Sequence, residues 1–167
     1  MKSRKMTVLI IILVIVAIGG LYVNLDREEP KDEEEVDLYF ADSQAQYLVQ
    51  EKRIVSNDAL YLNTLEALLA GPGENSYSST LPAATRIEDF KLNGNTAEVS
   101  FNQAFRDQHW GGSTGERLTV YSVVNTLTQF PEIERVRILL AGEEMETLAG
   151  HMDLTLSFEY NQDIVQE

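Results

Sequence analysis

Gly111-Gly112-Ser113-Thr114-Gly115-Glu116-Arg117 opens an apolar stretch that runs to Phe130, and its reading decides the fold. Ser113 followed three residues later by Glu116 has the pattern of a capping box, in which two side chains satisfy backbone N–H groups at a helix start. Beyond it Val120, Val123, Val124 and Leu127 recur at helical spacing, with Leu118, Tyr121 and Phe130 widening the stripe. Pro131 disfavours helical geometry at Phe130 and ends the segment. A helix this apolar must be covered, and the segments on either side of it read as short strands.

Just upstream, Phe90 and Leu92 alternate inward before Asn93-Gly94, and Ala97, Val99 and Phe101 alternate after it. Asn-Gly supplies the positive φ angles of a tight hairpin turn. Asn102–Gly112 reads as a loop. Downstream, Arg135–Leu140 reads as a strand turned at Ala141-Gly142, with a short return at Glu146-Thr147-Leu148. Further out, Val36–Phe40 carries strand formers, Ala41–Gln46 is a polar turn, and Tyr47–Val55 is a second extended piece. Ser56 or Asn57 can cap a helix through Ala70, with Tyr61, Leu65, Leu68 and Leu69 on one side; Gly71-Pro72-Gly73 ends it. The expected fold is α+β: two helices packed on one face of a small, mostly antiparallel sheet.

The domain spans 36–158, followed by a polar tail over 159–167 that is expected to fray. Ahead of it, Met6–Val23 is an uncharged apolar run of 18 residues. As a helix it would span ~27 Å, close to the ~30 Å hydrocarbon core of a bilayer. Basic residues precede it and acidic ones follow, so residues 1–25 read as a cytoplasmic stub and a single transmembrane anchor, with the domain outside. Ala17-Ile18-Gly19 is the rival, as a signal-peptide cleavage site. Residues 26–35 form an acidic linker containing Pro30 that holds the domain off the membrane surface.

Lys2, Arg4 and Lys5 are the only charges before Asp26, which leaves 27 acidic and 10 basic groups on the rest, a net of −17. Such a domain repels phosphate backbones, so nucleic acid is a poor ligand; the acidity reads first as a well-solvated surface and would also suit a cationic partner. The absence of cysteine excludes disulfides, thiolate metal sites, a cysteine nucleophile and a lipid-modified cysteine anchor.

Candidate chemistry is sparse. Gly111, Gly112 and Ser113 before a helix could cradle an anion, but the spacing matches neither a dinucleotide fingerprint nor a P-loop, and a capped turn is the stronger reading. His109 and His151 are the only histidines, lie in separate loops, and lack the spacing of a metal site. Ser113 lacks the Gly-x-Ser-x-Gly elbow. Asp37, Asp42 and Glu98 are no more than polar positions on or near strands, because paired carboxylates carry no weight in so acidic a chain. Trp110 could stack on a sugar, anchor a partner or pack against the helix. The binding candidates are therefore His109, Trp110, Gly111, Gly112, Ser113 and His151, with no catalytic set, metal or cofactor.

In series, several segments resemble the GerMN domain of bacterial sporulation and germination proteins. They are Leu38-Tyr39-Phe40, Lys52-Arg53-Ile54-Val55, Leu68-Leu69-Ala70-Gly71-Pro72, Leu81-Pro82, and Gly94 to Val99-Ser100-Phe101. Gly111-Gly112-Ser113 with Glu116-Arg117, Val124-Asn125-Thr126-Leu127-Thr128-Gln129-Phe130-Pro131 and Gly150-His151-Met152-Asp153 complete the set. The resemblance implies an extracytoplasmic module that binds and assembles rather than catalyses, with envelope proteins, further copies of itself or cell-wall glycan as partners. Unlike known sporulation members, which often carry two such domains and a lipoprotein cysteine, this sequence reads as one domain behind an apolar anchor. The alternative is an envelope ligand-binding protein or a peptidoglycan-active hydrolase using the Asn102–Gly112 loop and His151.

Overall fold

The computed structural model describes residues 32–166; the expected anchor and most of the linker lie outside them. Among the described residues no helix is long and apolar enough to cross a membrane. The described residues form two sheets rather than one. A hairpin of β1 (Glu33–Ala41) and β2 (Leu48–Ser56) makes the first, in an unbroken antiparallel register. The second is four-stranded, in the order β3 (Ile87–Asn93), β4 (Thr96–Phe101), β5 (Arg135–Leu140), β6 (Glu143–Glu144). Its β4–β5 pair is parallel, so the sheet is mixed rather than mostly antiparallel. Parallel neighbours require a crossover. Here it carries a one-turn helix, α2 (Ala104–Asp107), and the long helix α3 (Ser113–Leu127), while α1 (Leu60–Leu69) joins β2 to the loop before β3.

The expected elements are present, with instructive shifts. β1 starts at Glu33, inside the stretch read as linker, because hairpin pairing continues past the apolar residues; Glu35 meets Lys52 in an ion pair. α1 begins at Leu60 with no side-chain cap from Ser56 or Asn57; Ser56 still belongs to β2, and Asp58 instead accepts from Ala59 N and Asn63 Nδ2. In the β3–β4 hairpin the turn residues are Gly94 and Asn95, with positive φ at Gly94 alone. β3 is an edge strand, so Leu92 is exposed and Phe90 only partly covered, while Ala97, Val99 and Phe101 are fully buried. The segment read as the loop 102–112 contains α2, which places Phe105 on Phe101 with ring centroids 4.7 Å apart. After Ala141-Gly142, both at positive φ, the return is Glu143–Glu144 rather than 146–148.

β1 is covered on both faces, which explains its incomplete alternation. Val36, Leu38 and Phe40 join the main core with Val120, Val123, Val124 and Leu127 of α3. Tyr39 and Ala41 face the other way, into a smaller cluster with Leu48, Leu118 and Ile164. The two sets of α3 residues face different clusters, so the helix is not amphipathic in the expected sense. Burial of each such aliphatic side chain contributes about 1.5–3 kcal/mol.

Five polar residues of α3, Glu116, Thr119, Ser122, Asn125 and Thr126, are buried too, and each holds another segment. Thr126 Oγ1 accepts from Tyr39 N at 3.2 Å, and just past the helix the Gln129 amide both accepts from Asp37 N (2.7 Å) and donates to Asp37 O (2.8 Å). Together with the Ala41–Ser78 bridge, these bonds satisfy the edge of β1 that faces away from β2. Thr80 Oγ1 bonds Ser122 Oγ at 2.8 Å, and Thr119 Oγ1 donates to Thr80 O at 2.6 Å. Asn125 exchanges two hydrogen bonds with the backbone of Asn161 (2.9 and 3.0 Å). That last contact corrects the reading of 159–167 as a frayed tail. Residues Gln162–Ile164 form a 3-10 turn, Ile164 is buried, and Gln166 N donates to Leu48 O.

Asn125→Ala is therefore expected to free residues 161–166 and to lower stability by about 1–3 kcal/mol, the range for hydrogen bonds lost from a buried group. Urea unfolding and the rate of carboxypeptidase trimming measure the two effects.

Candidate functional site

The N-terminal end of α3 gathers the residues singled out by sequence, but not as a capping box. The N-cap is Gly112 (φ 82°), and no side chain caps the helix. Gly111 also lies at positive φ (78°), so the glycine pair is required by the chain reversal into the helix. Ser113 consequently falls inside the first turn and is exposed. Glu116 is fully buried and turns away from the helix start.

Its carboxylate collects the loop after β6. Oε1 accepts from Thr147 Oγ1 (2.8 Å), Leu148 N (2.9 Å) and Ala149 N (2.9 Å), and Oε2 accepts from His151 N (2.8 Å). Burial pushes the carboxyl pKa up, but the four donors outweigh it and hold the group below its ordinary value. His151 thus takes part through its backbone, while its imidazole is exposed. The link between Gly111–Arg117 and Gly150–Asp153 is structural, and sequence spacing did not reveal it. Glu51 does similar work elsewhere, accepting from Gly73 N and Glu74 N to close the turn after α1.

His109 anchors the approach to α3. Gly111 N donates to its Nδ1 (3.0 Å), which fixes the neutral ring as the Nε2–H tautomer. Nε2 then donates to Thr119 Oγ1 at 3.1 Å, and Thr119 passes the chain on to Thr80 O. Burial lowers the histidine pKa, with the charge of Glu116 opposing the shift. The ring stacks on Trp110, centroids 5.0 Å apart and planes 19° from parallel. Gly115 makes room for this stack, since a Cβ there would stand 2.7 Å from Trp110 Nε1.

Trp110 remains 56% exposed. It walls a pocket of about 310 Å³ completed by Ala41, Ser79, Thr80, Gly111 and Leu118. The lining is apolar except for hydroxyl and backbone groups, so it suits a small apolar side chain or the face of a sugar ring. Of the acidic positions named from sequence, Asp42 accepts from Gln46 N and Tyr47 N in the β1–β2 turn, and Glu98 accepts from Asn93 Nδ2. Asp37 contributes its backbone to Gln129. None of the three lines the Trp110 pocket.

Replacing Glu116 by Gln sets an amide donor among four donors, and is expected to cost about 2–4 kcal/mol in urea unfolding and to speed hydrogen exchange at Leu148, Ala149 and His151. For His109 the neutral ring is the native form, so the unfolded ring gains its proton first as pH falls. The stability it contributes is complete above the ordinary histidine value of ~6.5 and is withdrawn as pH drops through that value towards the lower folded pKa. Trp110, the sole tryptophan, reports it: emission is expected to change with a midpoint below ~6.5, and the change is expected to vanish in His109→Gln.

The comparisons with known proteins follow this geometry. The model of the Germane domain, described as sporulation and spore germination, matches residues 37–146. Over 118 residues the chain is 28% identical to the spore germination protein GerM of Bacillus subtilis, covering 67% of this chain but 31% of that protein. The chain thus spans about a third of the relative it matches. Among solved structures, the first GerMN domain of the same Bacillus subtilis sporulation protein superposes with a TM-score of 0.64 at 24% identity, covering 78% of this chain and 98% of that one. A chain from Clostridium perfringens described as a lipoprotein gives a TM-score of 0.55 at 25% identity, covering 76% and 87%. Among the described residues the family match takes in both sheets, all three α-helices and the glycine turn into α3, and on that ground the chain belongs to the Germane family of sporulation and spore germination domains.

Proposed function

We propose that the chain is a membrane-anchored, extracytoplasmic interaction module of a bacterial cell envelope, linked to sporulation or germination, and that it works by binding rather than catalysis. The apolar run Met6–Val23, with basic residues before it and acidic ones after, supports the anchor and its orientation. The names of the relatives, a spore germination protein and a lipoprotein, support the setting.

One observation carries the binding reading. Trp110 is more than half exposed, yet His109 stacks on it, Gly115 is cut back to admit it, and it forms one wall of a pocket. A large aromatic held rigid at the surface loses little entropy on contact and makes an effective anchor. Glu116, by contrast, has its acceptor positions taken by the 147–151 loop, and His109 spends both ring nitrogens on positioning. The partner is an envelope protein or a further copy of the chain. The indole face and the size of the pocket also favour a second reading, a cell-wall glycan as ligand.

Crosslinking in intact membranes, followed by pull-down on the full chain, tests the proposal. A defined envelope partner is expected with the native chain, and its recovery is expected to fall at least tenfold with Trp110→Ala, the scale of one hot-spot residue. A strictly monomeric domain without a partner overturns the reading. A muropeptide that raises the melting temperature of the native chain but not of the Trp110→Ala variant assigns the pocket to glycan instead.

A further inference from the structure

A second depression lies beyond the other end of α3, which at 15 residues measures about 22 Å. It has a volume of about 590 Å³ and opens between the start of α1, β3 and the Phe130-Pro131 turn. Its floor is aromatic. Tyr61 packs edge-on against Phe130 with centroids 5.0 Å apart, and tilts against Phe90 at 5.6 Å. Three carboxylates, those of Glu34, Asp58 and Glu132, stand among the lining residues, and no lysine or arginine does. Among the described residues none of the three forms an ion pair. Asp58 is partly engaged with the start of α1, whereas Glu34 and Glu132 are exposed. Burial raises the Tyr61 pKa, and the charge of Glu132, hydrogen bonding to its carboxylate and the charge of Glu34 raise it further.

We propose that this groove receives an arginine or lysine side chain of a partner protein, laid on the partly exposed rings of Tyr61 and Phe90, with the buried Phe130 behind them, and flanked by Glu34 and Glu132. The chemistry is that of a cation over aromatic faces, reinforced by carboxylates beside it. The alternatives fit less well. A second copy of so acidic a domain would bring like charge to the rim, with 27 acidic against 10 basic groups beyond residue 25. Among the described residues no three His, Asp or Glu side chains stand ready to hold a metal ion. The groove shares no lining residue with the Trp110 pocket, and its occupancy does not depend on what that pocket binds.

The test uses the full, nitrogen-15-labelled chain in a nonionic detergent, titrated with acetyl-Leu-Arg amide and with its neutral isostere acetyl-Leu-citrulline amide. Saturable shifts are expected at Tyr61, Phe90 and Phe130, at least tenfold weaker with citrulline and in the Glu34→Gln/Glu132→Gln variant. Tyr61→Leu keeps an apolar floor and is expected to weaken arginine binding severalfold. Equal binding of the two peptides, shifts spread over the whole acidic surface, or no shift at the floor overturns the proposal. Shifts at these residues that depend on protein concentration alone assign the groove to a second copy and overturn it as well. Should the double variant fail to fold, the comparison of arginine with citrulline decides on its own.

Discussion

A helix buried on nearly every side has to answer for its polar groups as well as its apolar ones. In α3 the two requirements are met by the same device. Each buried polar side chain is the hydrogen-bond partner of a segment outside the helix: Glu116 of the 147–151 loop, Thr119 and Ser122 of Thr80, Asn125 of Asn161, Thr126 of β1. Gln129, just beyond the helix, adds a second bond pair to β1. A single net hydrogen bond is worth only about 1 kcal/mol, but a buried group deprived of its partner costs more than that. The constraint is therefore mutual. The helix cannot stay buried unless these segments return to it, and β1 can do without a second neighbouring strand only because the helix lies alongside.

This arrangement explains which parts of the fold were legible in the sequence. Local signals were read well: the aliphatic period of Val120 to Leu127, the Gly94 turn, the continuous run Arg135–Leu140 and the Gly71-Pro72 stop all act within a few residues. Long-range pairings were not. Nothing in the spacing of Thr126 or Gln129 says that they serve a strand some ninety residues away. The parallel β4–β5 pair, the split into two sheets and the docking of residues 161–166 are likewise products of contacts distant in sequence. The single-sheet picture followed from treating every helix as amphipathic, with one face for the core and one for water.

The site shows the same division. Ser113 and Glu116 have the right types and spacing for a capping box, yet the positive φ of Gly112 starts the helix one residue early. That shift moves Ser113 into the first turn and swings Glu116 inward, where four donors converge on it. His109, Trp110 and the glycine pair are neighbours in sequence and stand together at the head of α3. What could not be read was that His109 is a structural relay with a fixed tautomer, or that Gly115 is small for the sake of the indole. The aromatic groove between α1 and Phe130 drew no attention because Tyr61, Phe90 and Phe130 belong to three separate elements.

The partners of α3 also differ in when they come into being. Thr80 and β1 precede the helix in the chain, whereas the Thr147–His151 loop and Asn161 follow it by some thirty residues. On a growing polypeptide the helix can find its first neighbours early, but the carboxylate of Glu116 has no amides to receive until residue 151 has been made. The Thr147–His151 loop is thus the clasp that closes on a carboxylate made some thirty residues before it.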